Sequence, residues 1–164
     1  MANVGGGANM FLYSSWLKEI GFDTCVFADN DIKDKERPAK ERCDTMNIPL
    51  FLCQEGFCTE KQIFQDLPWK GIVEILKCQQ IDFPKKYSIM TRELEVLLSG
   101  DLLESAQNKI RVEQAGRAIQ FKWFKHIPGG IFLGSVIVSN FDMMADDAPL
   151  KRCIKSLISW STCK

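Results

Sequence analysis

Thr24-Cys25-Val26-Phe27-Ala28-Asp29-Asn30-Asp31 decides how this chain is read, because an apolar run of strand length stops abruptly at two carboxylates spaced i, i+2. Side chains of an extended segment alternate faces, so Asp29 and Asp31 point the same way, roughly 6–7 Å apart at a rise of about 3.3 Å per residue. That spacing suits hard divalent cations, since Mg2+ is usually held by one or two carboxylates together with water and phosphate. The commonplace alternative is a turn or helix cap after a strand, a place that Asp and Asn favour for local hydrogen bonding.

On the N-terminal side, Leu12, Trp16 and Ile20 recur at intervals of four, with Phe11 and Leu17 widening the stripe, and predict an amphipathic helix closed by Gly21. The glycines Gly5-Gly6-Gly7 permit a tight turn or close approach to a ligand, but no Gly-Lys-Ser/Thr follows to make a P-loop. On the C-terminal side, residues 33–42 interleave opposite charges, the pattern of a solvated loop and exposed helix. Ile48-Pro49-Leu50-Phe51-Leu52-Cys53 is a second strand-length apolar run, with proline near its start. Thr59-Glu60-Lys61-Gln62 fits a capping box, with Thr59 at the N-cap and Gln62 three residues on. Glu60 then lies in the first turn, where the helix dipole favours a carboxylate whatever its function. It also follows the second strand, on the edge where α/β sheets bind ligands. The sequence leaves that choice open.

Pro68 opens a further short helix, and residues 79–90 lose all periodicity and mark a boundary. Residues 91–98 resume a helical pattern. Asp101 and Glu104 are expected to start a long polar helix carrying Leu103, Ala106, Ile110 and Ile119, with Gly116 weakening its middle. Pro128-Gly129-Gly130 is expected to break the chain before Ile131–Val138, a strand by propensity, with a short buried helix as the alternative. Asp147-Ala148-Pro149 caps a last helix bearing Leu150, Ile154, Leu157 and Ile158 opposite Lys151, Arg152 and Lys155.

The chain has 164 residues, 46% hydrophobic and 26% charged, so it is an ordinary globular sequence, neither disordered nor fibrous. Lys+Arg and Asp+Glu are equal at 21 each, so bulk charge gives no argument for nucleic acid, and any such binding must rest on local basic patches. No apolar run approaches the length of a membrane span. Seven cysteines, an odd number set partly in apolar runs, together with an N-terminus without an apolar leader, predict free thiols in a reducing cytoplasm. A zinc site assembled from Cys53, Cys58, Cys78 and His126 lacks paired C-x-x-C spacing. His126, the lone histidine, has no evident nucleophilic partner. The remaining chemistry is acidic. Asp29, Asp31 and Glu60 gathered at the carboxyl edge of a parallel sheet would hold Mg2+ or Mn2+, which activates water and stabilises a leaving oxygen in phosphodiester cleavage. A nearby lysine would stabilise the developing charge.

The order Gly5-Gly6-Gly7, Val26-Phe27-Ala28-Asp29-Asn30-Asp31, Thr59-Glu60-Lys61-Gln62-Ile63-Phe64 and Lys122-Trp123-Phe124-Lys125 resembles the C-terminal Toprim nuclease region of the overcoming-lysogenization-defect family of ATP-dependent endonucleases. That family includes the nuclease subunit of the Gabija anti-phage system. The resemblance implies a partial Toprim core, an α/β arrangement with a small parallel sheet flanked by helices over residues 1–79, then a mainly helical half over residues 80–164. It implies that Asp29 and Asp31 bind the divalent metal with Glu60, and that the family's late catalytic lysine is Lys125, with Lys122 as the alternative. DNA is the implied substrate.

A Toprim domain normally opens with a strand ending in Glu-Gly, and here only Met1-Ala2-Asn3-Val4 precede the glycines; Glu55-Gly56 falls after the acid pair. The family's ATPase is missing as well. The expectation is therefore a C-terminal piece, a split subunit or a degenerate relative, weak or inactive alone and completed in an oligomer or complex by a partner that supplies an ATPase and the first strand. Two other classes compete with the nuclease: a non-catalytic interaction module on the same scaffold, and a receiver-like or flavodoxin-like signalling domain. The extended half after Gln79 argues against the last.

Overall fold

The computed structural model describes residues 8–82, 102–125 and 127–162. The glycine run at residues 5–7, the helix expected at 91–98, Asp101 and His126 lie outside them. In chain order the elements are α1 (Ala8–Glu19), β1 (Val26–Ala28), a 3-10 turn (Asp34–Glu36), α2 (Arg37–Thr45), β2 (Leu50–Leu52), α3 (Thr59–Asp66), α4 (Trp69–Asp82), α5 (Glu104–Phe121), α6 (Ile127–Asn140), a second 3-10 turn (Phe141–Met143) and α7 (Pro149–Thr162). Among the described residues the chain is mostly helical around one two-stranded parallel sheet, compatible with an α/β fold that has a helical part. The chain divides into two compact units, Met1–Gln62 with Asp147–Lys164 and Ile63–Asp146. This division differs from a boundary at residues 79 and 80.

In the first unit, the two apolar runs pair in parallel, with Val26 opposite Leu50, Phe27 opposite Phe51 and Ala28 opposite Leu52. A parallel pair needs a crossover, and α2 supplies it, with a proline in its first turn and only Ala39 and Cys43, one helical turn apart, buried. The mixed-charge segment is thus a solvated turn and helix, as its pattern predicts. The core joins Phe11, Val26, Ala28, Ala39, Cys43 and Ile48, each contributing on the order of 1–3 kcal/mol by leaving water if it is a large side chain. Both α1 and α2 stop with the same device. Gly21 (φ 93) and Asn47 (φ 54) take the left-handed conformation, and the next N–H reaches back five residues, from Phe22 to the Leu17 carbonyl and from Ile48 to the Cys43 carbonyl.

The face of α1 is not the one the stripe predicts. Phe11 and Ser15, one turn apart, are buried, while Trp16, Leu17 and Ile20 are exposed. Ser15 is tolerated because its hydroxyl donates to the Leu12 carbonyl at 2.8 Å, and a small side chain there lets the helix lie close to its neighbours. In α7, Leu150 is buried as expected, but Lys151 is buried beside it and Ile158 is exposed, so its two faces are less cleanly divided than the sequence pattern.

In the second unit, Pro68 starts a long helix rather than a short one, since α4 runs for 14 residues to Asp82 and into the stretch read as a boundary. Ile72, Ile75 and Leu76 line its buried side. Residues 131–138 form no strand. They are the body of α6, which also takes in Pro128, Gly129 and Gly130, where a break was expected. Pro128 sits in the first turn, where a missing N–H costs nothing. Leu133, Val136 and Asn140 are buried at helical spacing, leaving Ile131 and Val138 outside. Gly71 of α4 leaves room for the Asn140 side chain; a Cβ there would stand 3.2 Å from Asn140 Cγ. α5 is unbroken through Gly116, and Leu103 serves as its N-cap without a side-chain hydrogen bond. Arg111 of α5 donates to the carbonyls of Phe64 and Leu67 at 2.7 Å each, satisfying the end of α3.

Candidate functional site

The carboxyl ends of β1 and β2 are tied together by hydrogen bonds around one residue. Asn30 N–H donates to the Phe57 carbonyl at 2.8 Å, and its own carbonyl accepts from Gly56 N–H at 3.0 Å. Its side-chain amide donates to the Cys53 carbonyl at 2.9 Å. Gly56 holds a positive φ of 76, which a glycine adopts without steric cost, so the loop after β2 folds back toward Asn30. Gln62, wholly buried, accepts from Gln54 N–H at 2.7 Å through its side-chain oxygen.

This framework turns the two aspartates to different tasks. Asp29 Oδ1 accepts from the Thr59 backbone N–H at 2.6 Å and from the Thr59 hydroxyl as well. Asp29 therefore caps the N-terminus of α3, supplying from another loop the acceptor that the first helical N–H groups lack. The capping box read in the sequence takes a different form. The Cys58 carbonyl accepts the helix's first bond, from Gln62 N–H, while Thr59 turns its hydroxyl to Asp29. Asp31 is exposed. It lines an open cleft of about 650 Å3 together with Asn30, Arg37, Lys40, Glu41 and Glu55. Arg37 pairs with Asp34 at 3.1 Å and Lys40 with Asp44 at 2.9 Å, so both cations at the cleft already have acidic partners.

Glu60 is 4% exposed and lies beside the Cys58 thiol. Burial raises the pKa of Cys58, and the Glu60 carboxylate adds to the rise against a backbone hydrogen bond from Lys61. Cys53 is pushed up to about 12, chiefly by burial, with a Thr59 hydrogen bond opposing and Asp29 adding to the shift. The Cys53 thiol, the Thr59 hydroxyl and the Asp29 carboxylate form a continuous chain, with 3.9 Å from sulfur to hydroxyl oxygen. These thiols are neutral, buried groups rather than nucleophiles. Among the described residues six cysteines are thiols outside any disulfide.

Each of the three sequence-predicted acids thus has different surroundings. Asp29 faces Thr59, Glu60 is buried with Cys58, and Asp31 alone is exposed. Among the described residues no group of three or more His, Cys, Asp and Glu side chains is placed to hold a metal ion. Thr59 takes only Oδ1 of Asp29, so a cation at Asp29 would have to bind through the other carboxylate oxygen, beside the α3 cap. Lys122 and Lys125 belong to the second unit and are both exposed. Lys122 takes the left-handed conformation (φ 54) and ends α5, and Trp123 N–H donates back to the Ala118 carbonyl at 3.1 Å. Trp123 between the two lysines is 3% exposed and stands 6.4 Å from the Phe64 ring. The alternation of aromatics and cations thus has a packing explanation at Trp123.

Sequence reasoning missed Asn30 and the contribution of Glu55. Asn30 stood inside the quoted acid stretch, and its amide is suited to bridging two loops, but no spacing rule shows that it does so. In the sequence Glu55-Gly56 stands out only by its order along the chain, whereas folding brings Glu55 to the same cleft as Asp31. No family model, curated protein or solved structure matches this chain. Among the described residues no helix is long and apolar enough to cross a membrane.

Proposed function

We propose that this chain is a non-catalytic interaction module on a Toprim-like α/β scaffold, a partner within a larger nuclease complex rather than a nuclease by itself. One observation carries this reading: the first acid of the pair, Asp29, serves as the cap of α3 through Thr59. A carboxylate with that structural duty stays in a sequence whether or not it binds a metal. The exposed cleft after the two strands, with Asp31, Glu41 and Glu55 set among Arg37 and Lys40, is the contact surface in this reading. It lies where open parallel sheets place their ligands.

The second reading is a Mg2+- or Mn2+-dependent DNA endonuclease completed by another polypeptide that supplies the ATPase and the first strand. It is favoured by Asp31 and Glu55 sharing that cleft. Plasmid nicking by the purified chain in Mn2+, beside Asp31→Ala and Lys125→Ala, separates the two. The interaction module gives no nicking above the variants. Robust nicking by the wild type that both substitutions abolish overturns it in favour of the nuclease.

A further inference from the structure

We infer that this protein forms a twofold dimer by pairing β1 with β1 of a second copy, with the outward apolar stripe of α1 covering the flanks. The inference is independent of what binds at the cleft after the strands. Val26 N–H donates to the Pro49 carbonyl and the Ala28 carbonyl accepts from Cys53 N–H, so the groups of Val26 and Ala28 face β2. The N–H and carbonyl of Phe27 then face the opposite side. Among the described residues β1 pairs with no strand there. Phe27 is the exposed member of the strand, between two buried neighbours.

An open strand edge is a template for pairing with another chain, and many proteins blunt it with charge or proline. Here β1 has neither. The edge borders a groove of about 520 Å3 that is lined by α1, β1 and α7, including Tyr13, Leu17, Phe27 and Trp160, and by no residue of β2. Along α1 and the turn that ends it, Tyr13, Trp16, Leu17 and Ile20 fall at i, i+3, i+4 and i+7, one continuous stripe, and Tyr13 packs edge-on against Trp16 at 5.2 Å. These four with Phe22 and Phe27 keep 37 to 71% of their surface exposed.

The area selects the occupant. Taking about 150–250 Å2 for a large side chain, the six expose roughly 600 Å2. Interfaces are about 56–65% apolar, so that area corresponds to roughly 900–1,100 Å2 in all per partner, above the about 800 Å2 of a standard interface. A lone extended peptide on a three-residue strand would leave most of the α1 stripe bare, whereas a second copy brings an equal stripe. The symmetry closes as well. With the twofold axis at Phe27, its N–H donates to the Phe27 carbonyl of the second copy and its own carbonyl accepts the reciprocal bond, the two rings lie side by side, and a four-stranded sheet results.

Sedimentation equilibrium on the whole chain tests this at micromolar concentration, with far-UV circular dichroism to confirm folding. The wild type is expected at twice 18.7 kDa. Phe27→Lys, placed at the axis and so counted twice, should weaken association by about a hundredfold or more. Trp16→Glu on the helix stripe should also dissociate the dimer, and it leaves the sheet untouched should Phe27→Lys fail to fold. A wild type that stays monomeric overturns the inference, including one that instead captures an extended peptide. So does a dimer that a folded Trp16→Glu and a folded Phe27→Lys leave intact.

Discussion

Replacing Asp29 by alanine should destabilise the first unit, and the size of the effect can be worked from its two bonds. Asp29 Oδ1 receives the Thr59 N–H at 2.6 Å and the Thr59 hydroxyl. Hydrogen bonds to a charged acceptor contribute about 1.5–3 kcal/mol each when both partners are dry. Asp29 and Thr59 are only half-buried, so water replaces part of what is lost. The expected cost is about 2 kcal/mol, at the top of the range for deleting an N-cap. That corresponds to a fall in melting temperature of about 4–8 °C for a chain of this size. Asp29→Asn keeps an acceptor but not the charge that complements the helix dipole, and should cost about half as much. Thr59→Val removes the hydroxyl alone, and a double-mutant cycle with Asp29→Ala should return a coupling of about 0.5–1 kcal/mol. Urea titrations in EDTA, with constant m-values, read all three. If Asp29→Ala lies within about 0.5 kcal/mol of the wild type, as ordinary surface substitutions do, the capping argument is refuted. A stabilised variant, relieved of repulsion with Asp31, would refute it more strongly.

Lys122 holds a left-handed conformation at the end of α5 without being glycine. Lys122→Gly should therefore raise the urea midpoint by the equivalent of about 0.5–1 kcal/mol, and a lower midpoint would count against a purely conformational role. For Cys53, the folded state holds the thiol proton more tightly than the unfolded state does. Its stabilising contribution is full below the ordinary value of 9.0 and is lost as pH rises from there through about 12. Melting temperature should fall faster across that window in the wild type than in Cys53→Ala; parallel slopes would refute the assignment.

What could be read in advance followed local rules. Both strands, the exposed charged helix between them and the glycine stop after α1 depend on neighbours in sequence, and they stand where the patterns put them. The failures are tertiary. β-branched Ile131, Val136, Ile137 and Val138 suit a strand, yet α6 is helical because Leu133, Val136 and Asn140 bury one side and α4 opens a place for Asn140 at Gly71. The stripe on α1 correctly gave a helix but not its orientation, since the core selected Phe11 and Ser15. At the site, the alternation rule put Asp29 and Asp31 on one face, but the segment after Ala28 is no longer a strand; Asp29 bonds Thr59 while Asp31 lines the cleft.

The composition of the first unit bears on how the protein is made. Its residues come from two distant parts of the chain, Met1–Gln62 and Asp147–Lys164, with the whole second unit synthesised in between. The Leu52 carbonyl, on the side of β2 away from β1, receives its hydrogen bond from the Cys153 thiol of α7 at 3.0 Å. On a ribosome adding roughly 5–20 residues per second, that carbonyl waits for α7 for several seconds at least. During that interval the margin of β2 is open, beside a β1 margin that among the described residues has no partner strand. Vectorial synthesis, rather than the finished stability of the protein, then sets the window in which a chaperone or a misassembled neighbour can reach it.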